Sequence, residues 1–214
     1  MDGRIARMHG IERRQIDDAW QRIESWLGRH APATVANLLP GASEHELDEL
    51  QAALGVRLPV GLRALWSRRA GAGPDPMPGF MPAGSALMPF EAVRRVYETY
   101  MVLLRRDEEA QRRKGATREI PLWRASWIPF ASLDADALSG LCVDAETGRI
   151  WSWCEYEERG IPFESLTDYL EEMADVLDVP ELAKEAGVGL MNGFLVWGTP
   201  QDETERAAWE PLAG

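Results

Sequence analysis

Apolar residues Ile16, Trp20, Ile23, Trp26 and Leu27 recur three and four positions apart among Asp, Gln, Arg and Glu, a spacing that predicts a helix from about Glu12 to Arg29 with Pro32 as its stop. A second helix has an explicit start. Ser43 stands three residues before Glu46, the capping-box spacing, and Leu47, Leu50 and Leu54 then form one stripe that Gly55 closes. Pro59 opens a short third helix whose Leu62, Leu65 and Trp66 face the same core. Pro89 opens a fourth, with Phe90, Val93, Tyr97, Tyr100 and Leu104 on one face; it fades into the polar run from Arg105 to Lys114, which is expected to project or fray. Between the third and fourth, AGAGPDPMPGFMPAGSA (70–86) holds four Gly and four Pro, and predicts a long ordered loop pinned by Met77, Phe80 and Met81.

Beyond Lys114 the period changes from helical to strand-like. Trp127 to Ala131 reads as a strand in which Pro129 suits an edge or a bulge, and Leu141–Val143 with Ile150–Cys154 reads as a hairpin across the turn 144–149. Ser165 caps a further helix with Leu166, Tyr169, Leu170, Met173, Val176 and Leu177 on one face and Asp168, Glu171, Glu172 and Asp175 on the other. Pro180 ends it. A weak helix from Glu181 to Ala186, an apolar stretch from Leu190 to Trp197 read as one more strand, and a polar tail complete the chain. Helices, then strands, then a helix indicate an α+β fold: a single domain over residues 1–180 with an antiparallel sheet and helices packed around it, and a C-terminal extension, 181–214, packed on it or trailing from it.

The 214 residues suit one domain with an extension, and 45% hydrophobic residues suffice for a real core. Charge adds more. With 35 Asp and Glu against 23 Lys and Arg the net charge is −12, which argues against direct binding to nucleic acid or an anionic membrane and for a basic protein partner. The acidity is segregated: residues 1–130 carry 19 basic and 16 acidic side chains, +3, whereas residues 131–214 carry 4 and 19, −15. Such a field steers a basic partner, or keeps the surface soluble. No apolar run reaches the roughly 18 residues of a membrane helix, and the first residues hold no signal-peptide core. Cys142 and Cys154 read as buried thiols, so a cytoplasmic location is expected, without cofactor.

Catalytic inventories are nearly empty. His9, His30 and His45 have no ligand spacing, and neither cysteine has a histidine near it to act as base. Asp134 with Asp136, and Asp144 with Glu146, stand two apart but lack the further oxygens and the glycine of a calcium loop, so no metal is expected. The cluster from Arg105 to Arg118 alternates in sign and reads as a solvated helix end. Trp151 and Trp153, two apart on a strand, share one face of the sheet, either as a core covered by the helix 166–177 or as an anchor for a partner. The partner surface expected here joins Asp134, Asp136, Glu155, Glu157 and Glu158 with those two tryptophans, and Asp168, Glu171, Glu172 and Asp175 are its runner-up.

Several segments together resemble the SUKH superfamily, which takes in a fungal cell-wall-synthesis regulator and many bacterial immunity proteins. They are Leu39-Pro40-Gly41-Ala42-Ser43 with Leu47; Leu54-Gly55 through Leu58-Pro59 to Leu62-Arg63 and Leu65-Trp66; Leu87-Met88; Trp127-Ile128-Pro129-Phe130; and Cys142-Val143-Asp144 with Gly148, followed by Phe163, Leu166 and Leu170. Ser67-Arg68-Arg69-Ala70-Gly71 departs from the pattern, and the stretch after Pro180 has no counterpart in it. The resemblance implies a small non-catalytic α+β domain that binds a protein. For a bacterial immunity protein that partner is a cognate toxin, often a nuclease; a regulatory scaffold and a carboxylate enzyme in the cleft beside the Pro/Gly loop are the other classes. Oligomeric state is not written in the sequence.

Overall fold

The capping box predicted at Ser43 is present. Ser43 Oγ accepts from Glu46 N–H at 3.3 Å while Glu46 Oε2 accepts from Ser43 N–H at 2.8 Å, and Gly55 closes the helix in the left-handed conformation at φ 67°. The coordinates are a computed structural model and describe residues 2–73, 79–115, 122–133, 137–154, 163–183 and 187–212. The helices are α1 (Asp2–His30), α2 (Pro32–Asn37), α3 (Glu44–Leu54), α4 (Val60–Arg68), α5 (Phe90–Lys114), α6 (Leu166–Asp178) and α7 (Glu203–Ala208). Strands β1 (Ala86–Leu87), β2 (Trp127–Ser132), β3 (Ser139–Asp144) and β4 (Ile150–Cys154) form one antiparallel sheet in sequence order. A second antiparallel sheet has the order β6 (Phe194–Trp197), β5 (Val188–Met191), β7 (Trp209–Pro211). The fold is α+β.

The two hydrogen bonds from Ser43, the backbone N–H first and the hydroxyl second, hold the Glu46 carboxyl below its ordinary range. A carboxyl depressed in the folded state stabilises it above the unfolded pKa, and that contribution is lost as pH falls through the folded value. Ser43→Ala removes the hydroxyl bond. Glu46 should then titrate at higher pH in an NMR titration of its carboxyl carbon, although the backbone bond keeps it short of a full return.

Helix α1 starts ten residues before the predicted Glu12 and buries Ile16, Trp20, Ile23 and Leu27 completely. Pro32 does not merely stop it; it occupies the first turn of α2, where its missing N–H would have had no partner. The loop 70–86 is pinned by Phe80 and Met81, both fully buried, and its last residue Ala86 enters β1; Met77 lies outside the described residues. Inside the loop, Ser85 Oγ stands 2.9 Å from the hydroxyl of Tyr169 on α6, a tyrosine whose complete burial pushes its pKa far up. The polar end of α5 does not fray. It stays helical to Lys114, where Gly115, at φ 65°, donates its N–H to Gln111 O.

Pro129 pairs with Cys142, and the β2–β3 register slips between Pro129 and Ala131, so the proline sits at a bulge where β1 is too short to ask for its missing N–H. The tail departs most from the sequence reading. The single strand expected from Leu190 to Trp197 is a hairpin, reversed at Asn192 and Gly193, which both have positive φ. The polar tail contains α7, capped by Asp202 at the N–H groups of Thr204 and Glu205, and β7, which pairs with β5. Where a weak helix was expected after Pro180 there is one turn of 3-10 helix, Pro180–Leu182, and 184–186 lie outside the described residues.

The small sheet is tied to the chain's beginning. Gly193 O accepts from Ala33 N–H at 3.1 Å, the buried Thr34 Oγ1 accepts from Leu195 N–H at 2.9 Å, and Trp197 N–H donates to Gly79 O. Leu195 is fully buried and Val188 nearly so. Gly189 has a local reason: a Cβ there would strike the Trp209 ring and Glu210 O, so the indole lies directly over the glycine.

Candidate partner-binding surface

Trp151 and Trp153 do lie on one face of β4, but they are not alike. Trp153 is fully buried, packed edge-on against Trp123 at 6.2 Å and Tyr100 at 6.4 Å, whereas Trp151 is half-buried and stacks on Trp127 at 5.1 Å. Of the pair, only Trp151 reaches the surface. The helix over this face is α5, through Tyr100, and not 166–177; α6 meets the sheet through Tyr169, whose ring stands edge-on to Phe130 and Phe163. Trp123 belongs to no periodic segment, and only the assembled fold shows it fully buried between Tyr100, Trp127 and Trp153. The buried indole N–H groups of Trp123, Trp151 and Trp153 meet no acceptor among the described residues, so ring packing holds the cluster together. Gly140, opposite Trp153, is again a glycine beneath an indole: a Cβ would meet the ring at 2.5 Å.

Asp134, Asp136, Glu155, Glu157 and Glu158 lie outside the described residues, but their points of attachment do not. The chain enters 134–136 from Leu133 and leaves at Ala137, and it enters 155–162 from Cys154. Ser132 pairs with Gly140 and Ser139 with Cys154, so both acidic segments start from one end of the sheet. Leu133 and Leu138 are 40% and 52% exposed at this end. Apolar surface therefore adjoins the two attachment points.

The other carboxylates fare differently. Asp144 is nearly fully buried and turned inward on its own hairpin, where Oδ1 accepts from Glu146 N–H at 3.0 Å and Oδ2 from the Thr147 hydroxyl at 2.9 Å; this is turn chemistry. On α6, Asp168 and Glu172 are exposed and Glu171 is half-buried, but Asp175 joins Asp178 in accepting from Arg22 of α1, at 2.8 and 2.6 Å. Those bonds raise the pKa of Arg22 and, 153 residues apart in sequence, tie α1 to α6. Asp17 and Glu24 of α1 hold Arg68 and Arg69 in the same manner. Part of the apparent acidic face is thus already paired with the chain's own arginines. Cys142 is buried and Cys154 half-buried, both as reduced thiols, and Cys142 Sγ donates to Trp151 O at 3.5 Å. Among the described residues no three His, Cys, Asp or Glu stand together as metal ligands, and no helix is long and apolar enough to cross a membrane.

The architecture is that of a helix-wrapped α+β domain centred on an antiparallel sheet. The chain belongs to the SMI1 / KNR4 family (SUKH-1), whose sequence profile matches residues 41–172. It is 32% identical over 97 residues to KNR4/SMI1 homolog 2 of Debaryomyces hansenii, a stretch that is 45% of this chain and 16% of that relative, so the chain spans a small part of its length. Helices α1 and α2 precede the matched region and the small sheet follows it, yet α1 packs on α4 and α6 within it.

Proposed function

We propose that this chain is a non-catalytic cytoplasmic binding protein, an immunity protein that neutralises a basic bacterial toxin by covering it, with a nuclease as the class the charge suits best. The observation that carries this reading is the concentration of −15 in residues 131–214 of a SUKH-1 chain. The acidic segments 134–136 and 155–162 are attached at one end of the sheet, their carboxylates are suited to imitate the phosphates that a nuclease groove receives, and the exposed Leu133 and Leu138 supply apolar contact at the same end, with half-buried Trp151 toward the other end of β4. A regulatory scaffold is the second reading, favoured by the identity with the Debaryomyces hansenii relative; a toxin gene next to this one would count against it.

The test is charge reversal at Glu155, Glu157 and Glu158 to Lys. With the toxin encoded beside this gene as partner, association measured by stopped flow should slow by about tenfold or more at low salt, and its salt dependence should flatten. The melting temperature should hardly move. An unchanged association rate would leave the acidity as a solubility device.

A further inference from the structure

Within the acidic molecule lies a cavity whose described lining is opposite in sign. It measures about 410 Å3, is open to solvent on one side, and is lined by the first part of α1 at His9, the end of α3 at Gln51, the α3–α4 connection at Arg57 and Leu58, α4 at Val60 and Arg63, and the β3–β4 turn at Ala145. We propose that this cavity binds a small organic anion, a phosphate or carboxylate carried on a compact apolar body.

Among the described residues no carboxylate lines it, although acidic residues outnumber basic ones 35 to 23 in the chain. Its polar groups are donors. Gln51 uses Oε1 to accept from Leu58 N–H at 3.0 Å, which leaves its NH2 for another partner. Arg57 is exposed and has neither a hydrogen-bond nor an ion-pair partner among the described residues. Arg63 is held in one orientation by Glu44 and Asp48, which offset part of its charge but keep its guanidinium at the cavity wall. The start of α4 adds nothing, since Glu12 Oε1 already accepts from Gly61 N–H at 3.2 Å. Arg57 is therefore the principal free cation of the cavity, with His9 and the Gln51 amide beside it. Leu58, Pro59, Val60 and Ala145 supply the apolar part of the lining, against which an organic body can lie. The volume falls within the roughly 300–1,000 Å3 of small-molecule sites. Because His9 precedes the region matched by the family profile, the cavity is completed by this chain's own N-terminal helix.

The test uses the full-length, 15N-labelled chain and three probes: inorganic phosphate, adenosine monophosphate and citrate. Adenosine monophosphate or citrate should shift the amides of Leu58, Val60 and Gly61, the two distinguishing phosphate from carboxylate as the anion. Arg57→Gln should weaken that binding by at least about tenfold. It should leave the melting temperature unchanged, because the side chain it removes has no hydrogen-bond or ion-pair partner among the described residues. Raised salt should weaken binding in the wild type. Shifts absent with every probe at about 10 mM, or an affinity that survives Arg57→Gln, overturn the proposal. Inorganic phosphate binding as tightly as adenosine monophosphate overturns the part that assigns the apolar wall a role.

Discussion

Replacing Trp153 by alanine should lower the unfolding free energy by about 3–5 kcal/mol, because a fully buried indole is lost and the hole it leaves is walled by other rings. In a chain of this size that is a drop of about 10 °C in melting temperature. Trp151→Ala should cost only about 1 kcal/mol, the worth of a stacked aromatic contact at a half-exposed position. In binding the order should reverse. If Trp151 anchors the partner, its loss should weaken the complex by about 2 kcal/mol or more, while Trp153→Ala acts through stability alone. Urea unfolding and titration calorimetry on both variants separate the two effects; equal losses of stability would mean that Trp151 is core as well.

Truncation after Ala183 should cost a comparable amount, about 3–6 kcal/mol, from the burial lost at Val188 and Leu195. Besides that apolar loss, Thr34 Oγ1 forfeits the N–H of Leu195, and the carbonyl of Gly79 forfeits that of Trp197. The truncated chain should still unfold cooperatively, since the region matched by the family profile ends before the cut. Hydrogen exchange should speed up first at Ala33 and along α2, the elements the small sheet covers. An unchanged midpoint would show instead that residues 187–212 trail from the domain without supporting it.

Local chemistry was legible wherever one segment carried both the signal and its answer. Ser43 with Glu46, Gly55 and the cap at Ser165 each need only residues close by, and each is found where the spacing placed it, whereas the choice between edge and bulge at Pro129 waited on its pairing with β3. The tail was misread for a related reason. Leu190 to Trp197 is apolar enough to pass as one strand, but Asn192-Gly193 inside it is a strong two-residue hairpin signal, and β7 became a strand only because β5 offered it an edge.

Periodicity and capping are properties of neighbours along the chain, so the long helices, the strands β2 to β4, the α+β class, the asymmetry of charge and the placing of Trp151 and Trp153 on one face were legible in the sequence. Packing in three dimensions settled which helix covers that face, that Trp153 is sealed by Trp123 and Tyr100 while Trp151 is not, and that Asp175 pairs with Arg22 at the surface. Those outcomes depend on contacts between residues tens to more than a hundred positions apart. Nothing in a local pattern fixes them, since burial and ion pairing are set by whichever surface the packed chain brings alongside.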